Sequence, residues 1–225
     1  MNARSIAAVL FSVLLTGLVW AADEGIEYTT IEKPLPTNTG DKIEVLELFW
    51  YSCPHCYHLE PSMETWKKTK PENVAFEYLP AVFNQRTAPY ARAFYSAKRI
   101  GEFDKFHMPL FRALHDQKRK IFSDDQLIAF AAEQGIDEEK FRAAMTSFEV
   151  DMAVRRAADL SRRSGADGVP ALVINGKYLT SPSQVGSSEK MIVVLNGLIA
   201  EESKVSVAEP PPAEAESAAS TVPDS

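Results

Sequence analysis

The sequence Cys53-Pro54-His55-Cys56 contains the only two cysteines of this 225-residue chain, and it closely follows a nearly continuous apolar run at residues 43–51. Such a run is typical of a central β-strand that is covered on both faces. Proline is favoured at the first position of a helix, where its missing N–H group would have no partner. The stretch therefore predicts a strand, a turn and a helix, with Cys53 at the helix start and Cys56 one turn inside.

The positions of the two cysteines predict a redox-active dithiol. At a helix start, unpaired backbone N–H groups and the positive end of the helix dipole favour the thiolate form of Cys53. Cys56 is close enough to close a small disulfide ring and is expected to be sheltered. A purely structural disulfide is the alternative. A bridge across two residues removes almost no entropy from the unfolded chain, and a chain long enough to form a substantial core does not need it for stability.

Two other uses of a Cys-x-x-Cys motif do not fit the sequence. Structural zinc takes four ligands, usually from a second paired motif, and the chain has no second motif. Haem attachment requires a histidine directly after the second cysteine, where this chain has Tyr57. We therefore predict no metal site and no cofactor. Of the other histidines, His58 is predicted to be solvated, and His107 and His115, without evident partners, to be structural.

The two ends of the chain differ in composition from the region between them. Arg4 precedes a short apolar run and a small-residue cleavage site, which predicts an export signal over residues 1–21. An uncleaved membrane anchor is the alternative, although the apolar run is short for a membrane span. Residues 201–225 hold six acidic residues and three consecutive prolines, which predict a disordered acidic tail. The net charge of −7 gives no electrostatic reason to expect binding to nucleic acid.

Strand patterns flank a block of helical patterns. The predicted strands lie at residues 28–31, 43–51, 74–79, 171–174 and 177–180, and the predicted helices at residues 54–70, 88–99, 102–116, 127–134, 149–164 and 188–200, with one more after Asp137. Asn175-Gly176 predicts a hairpin between the last two strands, and Pro109 is expected to interrupt its helix. We predict an α/β fold in which residues 22–82 and 165–200 form one domain and residues 83–164 an inserted helical subdomain.

Glu47 interrupts the apolar run, on the same strand face as Val45 and Phe49. The residues alone leave two interpretations open. If the carboxyl group is buried, its pKa is raised and it is a plausible proton acceptor near Cys56. If it reaches the strand edge, it is solvated and has no special role.

Taken together, these motifs resemble the DsbA family of the thioredoxin superfamily, periplasmic thiol:disulfide oxidoreductases of Gram-negative bacteria. The matching sequences are Cys-Pro-His-Cys followed by Tyr57, Val45-Leu46-Glu47-Leu48-Phe49, Gly168-Val169-Pro170 and Val173-Ile174-Asn175-Gly176-Lys177-Tyr178. The resemblance covers roughly residues 26–200. It implies a thioredoxin-like fold with an inserted helical subdomain.

The resemblance also implies roles for individual residues. The catalytic residues it implies are Cys53, Cys56, His55, Pro54 and Glu47, and the substrate-binding residues are Val169 and Pro170. By the resemblance, Cys53 is attacked by a substrate thiolate and His55 acts by hydrogen bonding or charge near its sulfur. The Val169–Pro170 peptide bond is expected to be cis and to face the cysteines, whereas Pro170 taken alone favours a rigid strand entry.

Glu47 matches the buried acid of the family, which favours the proton-transfer role over the solvated strand edge. One position departs from the family pattern. Family members often carry a lysine in the second strand that pairs with this acid, and Glu77 stands there in our alignment. The residue that pairs with Glu47 is therefore left open.

The function implied is donation of the Cys53–Cys56 disulfide to reduced exported proteins in the periplasm. A quinone-linked membrane protein of the DsbB type is expected to reoxidise the dithiol, and the enzyme is expected to be a monomer. A disulfide isomerase or reductase is one alternative. Superfamily isomerases resemble dimers with an N-terminal dimerisation domain, for which about 20 residues before the first core strand leave no room. A peptide-binding chaperone without turnover is the other alternative.

Overall fold

The structure, a computed structural model, describes residues 22–208. The predicted export signal at residues 1–21 and residues 209–225 of the predicted tail lie outside this part. The strands are β1 (Thr29–Thr30), β2 (Ile43–Phe49), β3 (Val74–Pro80), β4 (Ala171–Ile174) and β5 (Tyr178–Thr180). The helices are α1 (Pro54–Thr69), α2 (Ala88–Arg99), α3 (Phe103–His115), α4 (Asp124–Glu133), α5 (Glu138–Met145), α6 (Phe148–Arg163), α7 (Pro182–Val185) and α8 (Ser188–Ala208). A strand is present at each predicted position.

The five strands form one mixed sheet in the order β1-β5-β4-β2-β3. Strand β2 lies between β3, to which it is parallel, and β4, to which it is antiparallel. All seven residues of β2 are buried, because both of its faces are covered, as the apolar run predicts. The chain leaves the carboxyl end of β2 and enters α1, so this edge of the sheet carries the two cysteines.

The two faces of β2 contact different helices. Ile43 and Val45 pack with apolar residues of α1 and α8, whereas Leu46 and Leu48 pack with residues of α6. Phe49, at the end of the strand, joins an aromatic cluster formed largely by α2, α3, α4 and α5. The five helices α2–α6 lie in sequence between β3 and β4, which confirms an α/β fold with inserted helices. The exact bounds of the two domains stay a prediction.

Two details of the prediction are wrong. Helix α3 is not interrupted at Pro109 but continues through it, because Phe106 and Leu110 on either side are buried in the aromatic cluster and hold the helix in place. The predicted tail does not start at residue 201, because α8 extends to Ala208. Glu202, in this extension of α8, is buried and accepts a hydrogen bond from Lys177 in the β4–β5 hairpin. This contact ties the end of the helix to the sheet.

Among residues 22–208, no helix combines the length and the apolar character that crossing a membrane requires.

Candidate active site

Cys53 is the N-cap residue of α1, and Pro54 occupies the first turn. The backbone N–H of Cys53 donates to the carbonyl oxygen of Trp50 at 2.9 Å, which closes the turn between β2 and the helix. Both cysteines are free thiols. Both cysteines are buried, but Cys53 keeps 8% of its surface exposed, whereas Cys56 has none. Cys56 is therefore the more sheltered of the two sulfurs.

The surroundings of the two thiols shift their pKa values in opposite directions. The pKa of Cys53 falls from 9.0 to about 6, chiefly because the thiol of Cys56 hydrogen-bonds to the Cys53 thiolate. Burial opposes this shift, while the backbone N–H groups of Cys56 and His55 and the charge of His55 add to it. Burial, followed by the interaction with Cys53, raises the pKa of Cys56 far above its ordinary value. At neutral pH the pair therefore holds one thiolate, on Cys53, and one proton, on Cys56.

A loop between α6 and β4 closes over the reactive sulfur. The sulfur of Cys53 lies 3.3 Å from the carbonyl oxygen of Val169, to which it donates a hydrogen bond when it is protonated. The Val169–Pro170 peptide bond is cis, as the resemblance implies. Beside this contact lies an open groove of about 540 Å³, lined by His55, Val169, Pro170 and a group of serines. The cysteine pair therefore borders a surface on which an extended peptide can lie.

Glu47 is fully buried, so the interpretation that it reaches a solvated strand edge is wrong. Neither carboxyl oxygen has a hydrogen-bond partner among the described residues. Burial, followed by the negative charge of Glu60, raises the pKa of Glu47 well above its ordinary value, and the positive charge of Lys67 opposes the shift. The charge of Glu47 in turn contributes to the raised pKa of Cys56, because the two groups lie in the same buried region.

The alignment that set Glu77 beside Glu47 is wrong. In the parallel pairing of β2 with β3, Tyr78 lies opposite Glu47, and Glu77 lies opposite Leu46 on the other face of the sheet. There Glu77 accepts a hydrogen bond from Lys98 at 2.9 Å. The single-residue difference moves the side chain to the opposite face.

The cation near Glu47 comes from helix α1. The ammonium group of Lys67 donates a hydrogen bond to the hydroxyl oxygen of Tyr78 at 2.9 Å and lies 4.8 Å from the centre of the Tyr78 ring. Lys67 also pairs with Glu64 on its own helix. A positive charge is thus present in this region, but it reaches the site from the helix and not from the second strand.

A buried polar cluster that the sequence did not reveal lies behind Cys56. Glu60 accepts a hydrogen bond from the hydroxyl of Tyr78 at 2.9 Å, and its other oxygen lies 3.4 Å from Nε2 of His107. Nδ1 of His107 lies 2.8 Å from the hydroxyl of Tyr51. Glu60 follows Cys56 by four positions on α1, and this helical spacing was the available signal that both lie on one face.

His115 also has partners that the sequence did not reveal. Its Nε2 lies 2.7 Å from the carbonyl oxygen of Tyr51, and its ring stacks on Tyr57 with the ring centres 5.1 Å apart. The hydroxyl of Tyr57 donates to Asp116 at 2.7 Å. Helix α3 therefore supports the turn before the cysteines as well as the first turn of α1. His58 is exposed, as predicted.

Within residues 22–208, no group of three or more His, Cys, Asp or Glu side chains is arranged to hold a metal ion. The reactive groups of the site are the two sulfur atoms and the polar cluster behind them. A mixed sheet with a reactive dithiol at the start of α1, facing a cis-proline loop, defines a thioredoxin-like protein.

Comparisons with known proteins identify the family. A family model described as a DSBA-like thioredoxin domain matches residues 72–190. The thiol:disulfide interchange protein DsbA of Bordetella parapertussis is 36% identical over 181 residues, which cover 80% of this chain and 86% of that protein. DsbA of Pseudomonas aeruginosa is 33% identical over 200 residues, covering 88% of this chain and 95% of the relative. The chain belongs to the DsbA family.

Solved structures agree with this assignment. The crystal structure of Pseudomonas aeruginosa DsbA matches with a TM-score of 0.79 at 32% identity, covering 83% of this chain and 97% of that one. The crystal structure of the oxidoreductase DsbA from Xylella fastidiosa matches with a TM-score of 0.74 at 28% identity, covering 79% and 96%. The predictions of a thioredoxin-like fold and of a thiol:disulfide oxidoreductase of this family are confirmed.

Proposed function

We propose that the protein donates its Cys53–Cys56 disulfide to other proteins that carry pairs of free thiols. The observation that carries this proposal is the opposite shift of the two thiol pKa values, with Cys53 lowered to about 6 and Cys56 raised. A thiol of low pKa is a good leaving group in disulfide exchange. A stabilised Cys53 thiolate also favours the reduced enzyme, so the disulfide form is an oxidant.

The reaction proceeds in two exchange steps. A substrate thiolate attacks the sulfur of Cys53, the Cys53–Cys56 bond breaks, and its electron pair and one proton go to Cys56. The second substrate thiolate then attacks the substrate sulfur of this mixed disulfide and expels Cys53 as a thiolate. Two electrons have moved from the substrate to the enzyme, and the substrate leaves with a new disulfide.

Three residues near the sulfurs support these steps. Glu47 supplies the proton that Cys56 takes up in the first step and accepts it again when the enzyme is reoxidised; its burial and raised pKa support this role. His55 stabilises the Cys53 thiolate through its backbone N–H and its charge. Pro54 starts the helix without leaving an unpaired N–H group, which fixes the position of Cys53.

Val169 and Pro170 form the substrate-binding loop of the proposal. An extended peptide can pair with the backbone beside a strand, which binds it without reading its sequence. The serine-rich groove next to Pro170 provides hydroxyl groups for the residues that flank the substrate cysteine. In the disulfide form Cys53 carries no S–H, so the carbonyl oxygen of Val169, which faces the Cys53 sulfur, is free to accept a hydrogen bond from the peptide.

We further propose that the enzyme acts in the periplasm as a monomer on reduced exported proteins. The predicted export signal at residues 1–21 and the family assignment support this location. A membrane protein of the DsbB type, which passes electrons to quinone, reoxidises the dithiol. The same groove beside Cys53 serves both partners, because each must place a sulfur within bonding distance of Cys53.

The test is oxidative refolding of a reduced substrate protein, with the equilibrium of the Cys53–Cys56 pair measured in graded glutathione buffers. We expect disulfide donation by the oxidised protein, an oxidising potential, and a trapped mixed disulfide in Cys56→Ser. A strongly reducing potential would identify a reductase. Rearrangement of wrongly paired disulfides without net donation of a disulfide would identify an isomerase. The protein is a peptide-binding chaperone if its only activity is to suppress aggregation of the substrate protein and if Cys53→Ser retains that activity in full.

A further inference from the structure

Two carboxyl groups lie in the apolar region behind Cys56, and the reaction uses only one of them. The side chains of Glu47 and Glu60 are both fully buried. We call them the buried acid pair. Two like charges in a poorly solvated region repel each other, so the pair favours a state with one carboxylate and one carboxylic acid. Which of the two carries the proton decides whether an acid is available beside Cys56.

The hydrogen bonds around the pair are unequal. Glu60 faces two donors, the hydroxyl of Tyr78 at 2.9 Å and Nε2 of His107 at 3.4 Å. Neither oxygen of Glu47 faces a hydrogen-bond partner among the described residues. Donors stabilise a carboxylate, whereas a buried carboxyl group without donors retains its proton. The geometry therefore favours the negative charge on Glu60 and the proton on Glu47.

His107 donates to Glu60 only if its ring is held in place and its Nε2 atom carries the proton. Its ring stacks on Phe103, with the ring centres 4.6 Å apart and an angle of 22° between the planes. Burial, followed by the negative charge of Glu60, raises the pKa of Tyr51 well above its ordinary value, so Tyr51 keeps its O–H. That hydroxyl, 2.8 Å from Nδ1 of His107, donates to Nδ1 and leaves the ring proton on Nε2, facing Glu60.

We propose that His107 is a positioning residue for the thiol reaction, which fixes the charge of the buried acid pair on Glu60 and thereby keeps the proton on Glu47. This inference rests on the proposed function. When the disulfide is reduced, the electron pair of the S–S bond goes to Cys56, the O–H bond of Glu47 breaks, and an S–H bond forms at Cys56. Glu47 is left as a carboxylate, which the positive charge of Lys67 stabilises against the repulsion from Glu60, and it regains its proton from Cys56 when the dithiol is reoxidised.

The other ionisable groups around the pair are compatible with this assignment. His107 is faced by Tyr51 from the turn after β2, by Tyr78 from β3 and by Glu60 from α1. Glu47 experiences the charges of Glu60, Lys67 and Glu64, all of them on α1. The positive charge of Lys67 moderates the repulsion that arises when both members of the pair are ionised.

Infrared difference spectra of the oxidised and reduced protein test the proposal, because a buried carboxylic acid has its own C=O stretching band. In the wild-type background we expect Glu47→Gln to remove the band of the oxidised protein and Glu60→Gln to retain it. In the His107→Phe background we expect the band to survive Glu47→Gln, because the proton has moved to Glu60. His107→Gln, whose amide N–H replaces the donor, restores the wild-type pattern. His58→Gln, at an exposed histidine, is the matched control.

A band that Glu47→Gln still removes in the His107→Phe background would overturn the proposal. If His107→Phe does not fold, Tyr51→Phe provides the second test, because it removes the hydroxyl that sets the His107 tautomer; an unchanged band assignment in this variant would also count against His107. Disulfide donation is measured separately on each protein. A protein that donates disulfides normally but has no protonated Glu47 refutes the inference and the proton transfer from Glu47, and leaves the proposed disulfide donation intact. A protein that shows the predicted bands but donates no disulfides refutes the proposed function alone.

Discussion

The sulfur of Cys53 lies within hydrogen-bond distance of the carbonyl oxygen of Val169, at 3.3 Å, although 116 positions separate the two residues along the chain. They meet because β2 and β4 are antiparallel neighbours, with Leu48 opposite Ala171. The end of β2 that leads to Cys53 therefore lies beside the start of β4, which follows Pro170. The sheet pairing brings the reactive sulfur and the proposed substrate-binding loop together.

Titration of the reduced enzyme is expected to show a thiolate on Cys53 with a pKa of about 6. Because this pKa lies below the ordinary value of 9.0, the reduced protein gains stability as the pH rises from about 6 toward 9.0 and loses it as the pH falls through this window. The ultraviolet absorbance of the thiolate measures the pKa. Cys56→Ala is expected to raise it more than His55→Gln, because the Cys56 thiol is the largest cause of the shift; the reverse order would contradict this assignment.

Glu47→Gln is expected to increase the stability of the protein at neutral pH by about 1–3 kcal/mol, because the amide cannot ionise, whereas the unfolded chain ionises Glu47 and the folded protein, through burial, opposes this. The folded protein holds the Glu47 proton more tightly than the unfolded chain does, so its stability falls as the pH rises above the ordinary value of 4.5. The gain from Glu47→Gln should therefore grow with pH in denaturant unfolding experiments. The same variant should slow protonation of Cys56 by about 100-fold in stopped-flow exchange. An unchanged rate would exclude Glu47 as the proton donor.

Glu202→Ala is expected to destabilise the protein by about 1–2 kcal/mol, because Glu202 accepts hydrogen bonds from Asn175 and from Lys177 at the β4–β5 turn. Burial alone would raise the pKa of Glu202, but the bonds from Lys177 and Asn175 outweigh it and lower the pKa. The stabilisation of the folded protein by ionised Glu202 is therefore present above pH 4.5 and is lost as the pH falls through the lowered pKa. Glu201→Ala, at an exposed glutamate next to it, is the control for thermal unfolding. Equal effects of the two variants would show that Glu202 does not tie α8 to the sheet.

Gly176→Ala is expected to destabilise the protein by about 2–5 kcal/mol, the combined cost of a left-handed backbone and of overpacking. Gly176 has a φ of +67°, and an added methyl group would overlap the carbonyl oxygen of Leu35. Gly135→Ala is the matched control, since its φ of +75° is similar but no atom of the described residues lies within 4 Å of the added group. Gly135→Ala should lower the free energy of unfolding, measured with denaturant, by about 1–2 kcal/mol. Equal losses would show that the contact with Leu35 has no effect.

The fold was predictable where a pattern depends on neighbouring residues. The apolar run of β2, the proline at the start of α1 and the Asn175-Gly176 turn each indicate an element at the place where the structure has one. Helix α8 is longer than predicted, because Glu202 is stabilised by partners on the β4–β5 hairpin that local composition does not reveal. The assignment of Glu77 failed for a similar reason, since strand register depends on how two strands pair and not on either strand alone.

The sequence by itself determined the dithiol, its place at a helix start and the family motifs around it, because these depend on residues a few positions apart. Only the tertiary structure decided the surroundings of the buried acid pair, Glu47 and Glu60. Glu60 and Lys67 come from α1, Tyr78 from β3 and His107 from α3. Burial and long-range charge set the protonation of such groups, and both depend on which distant elements pack together.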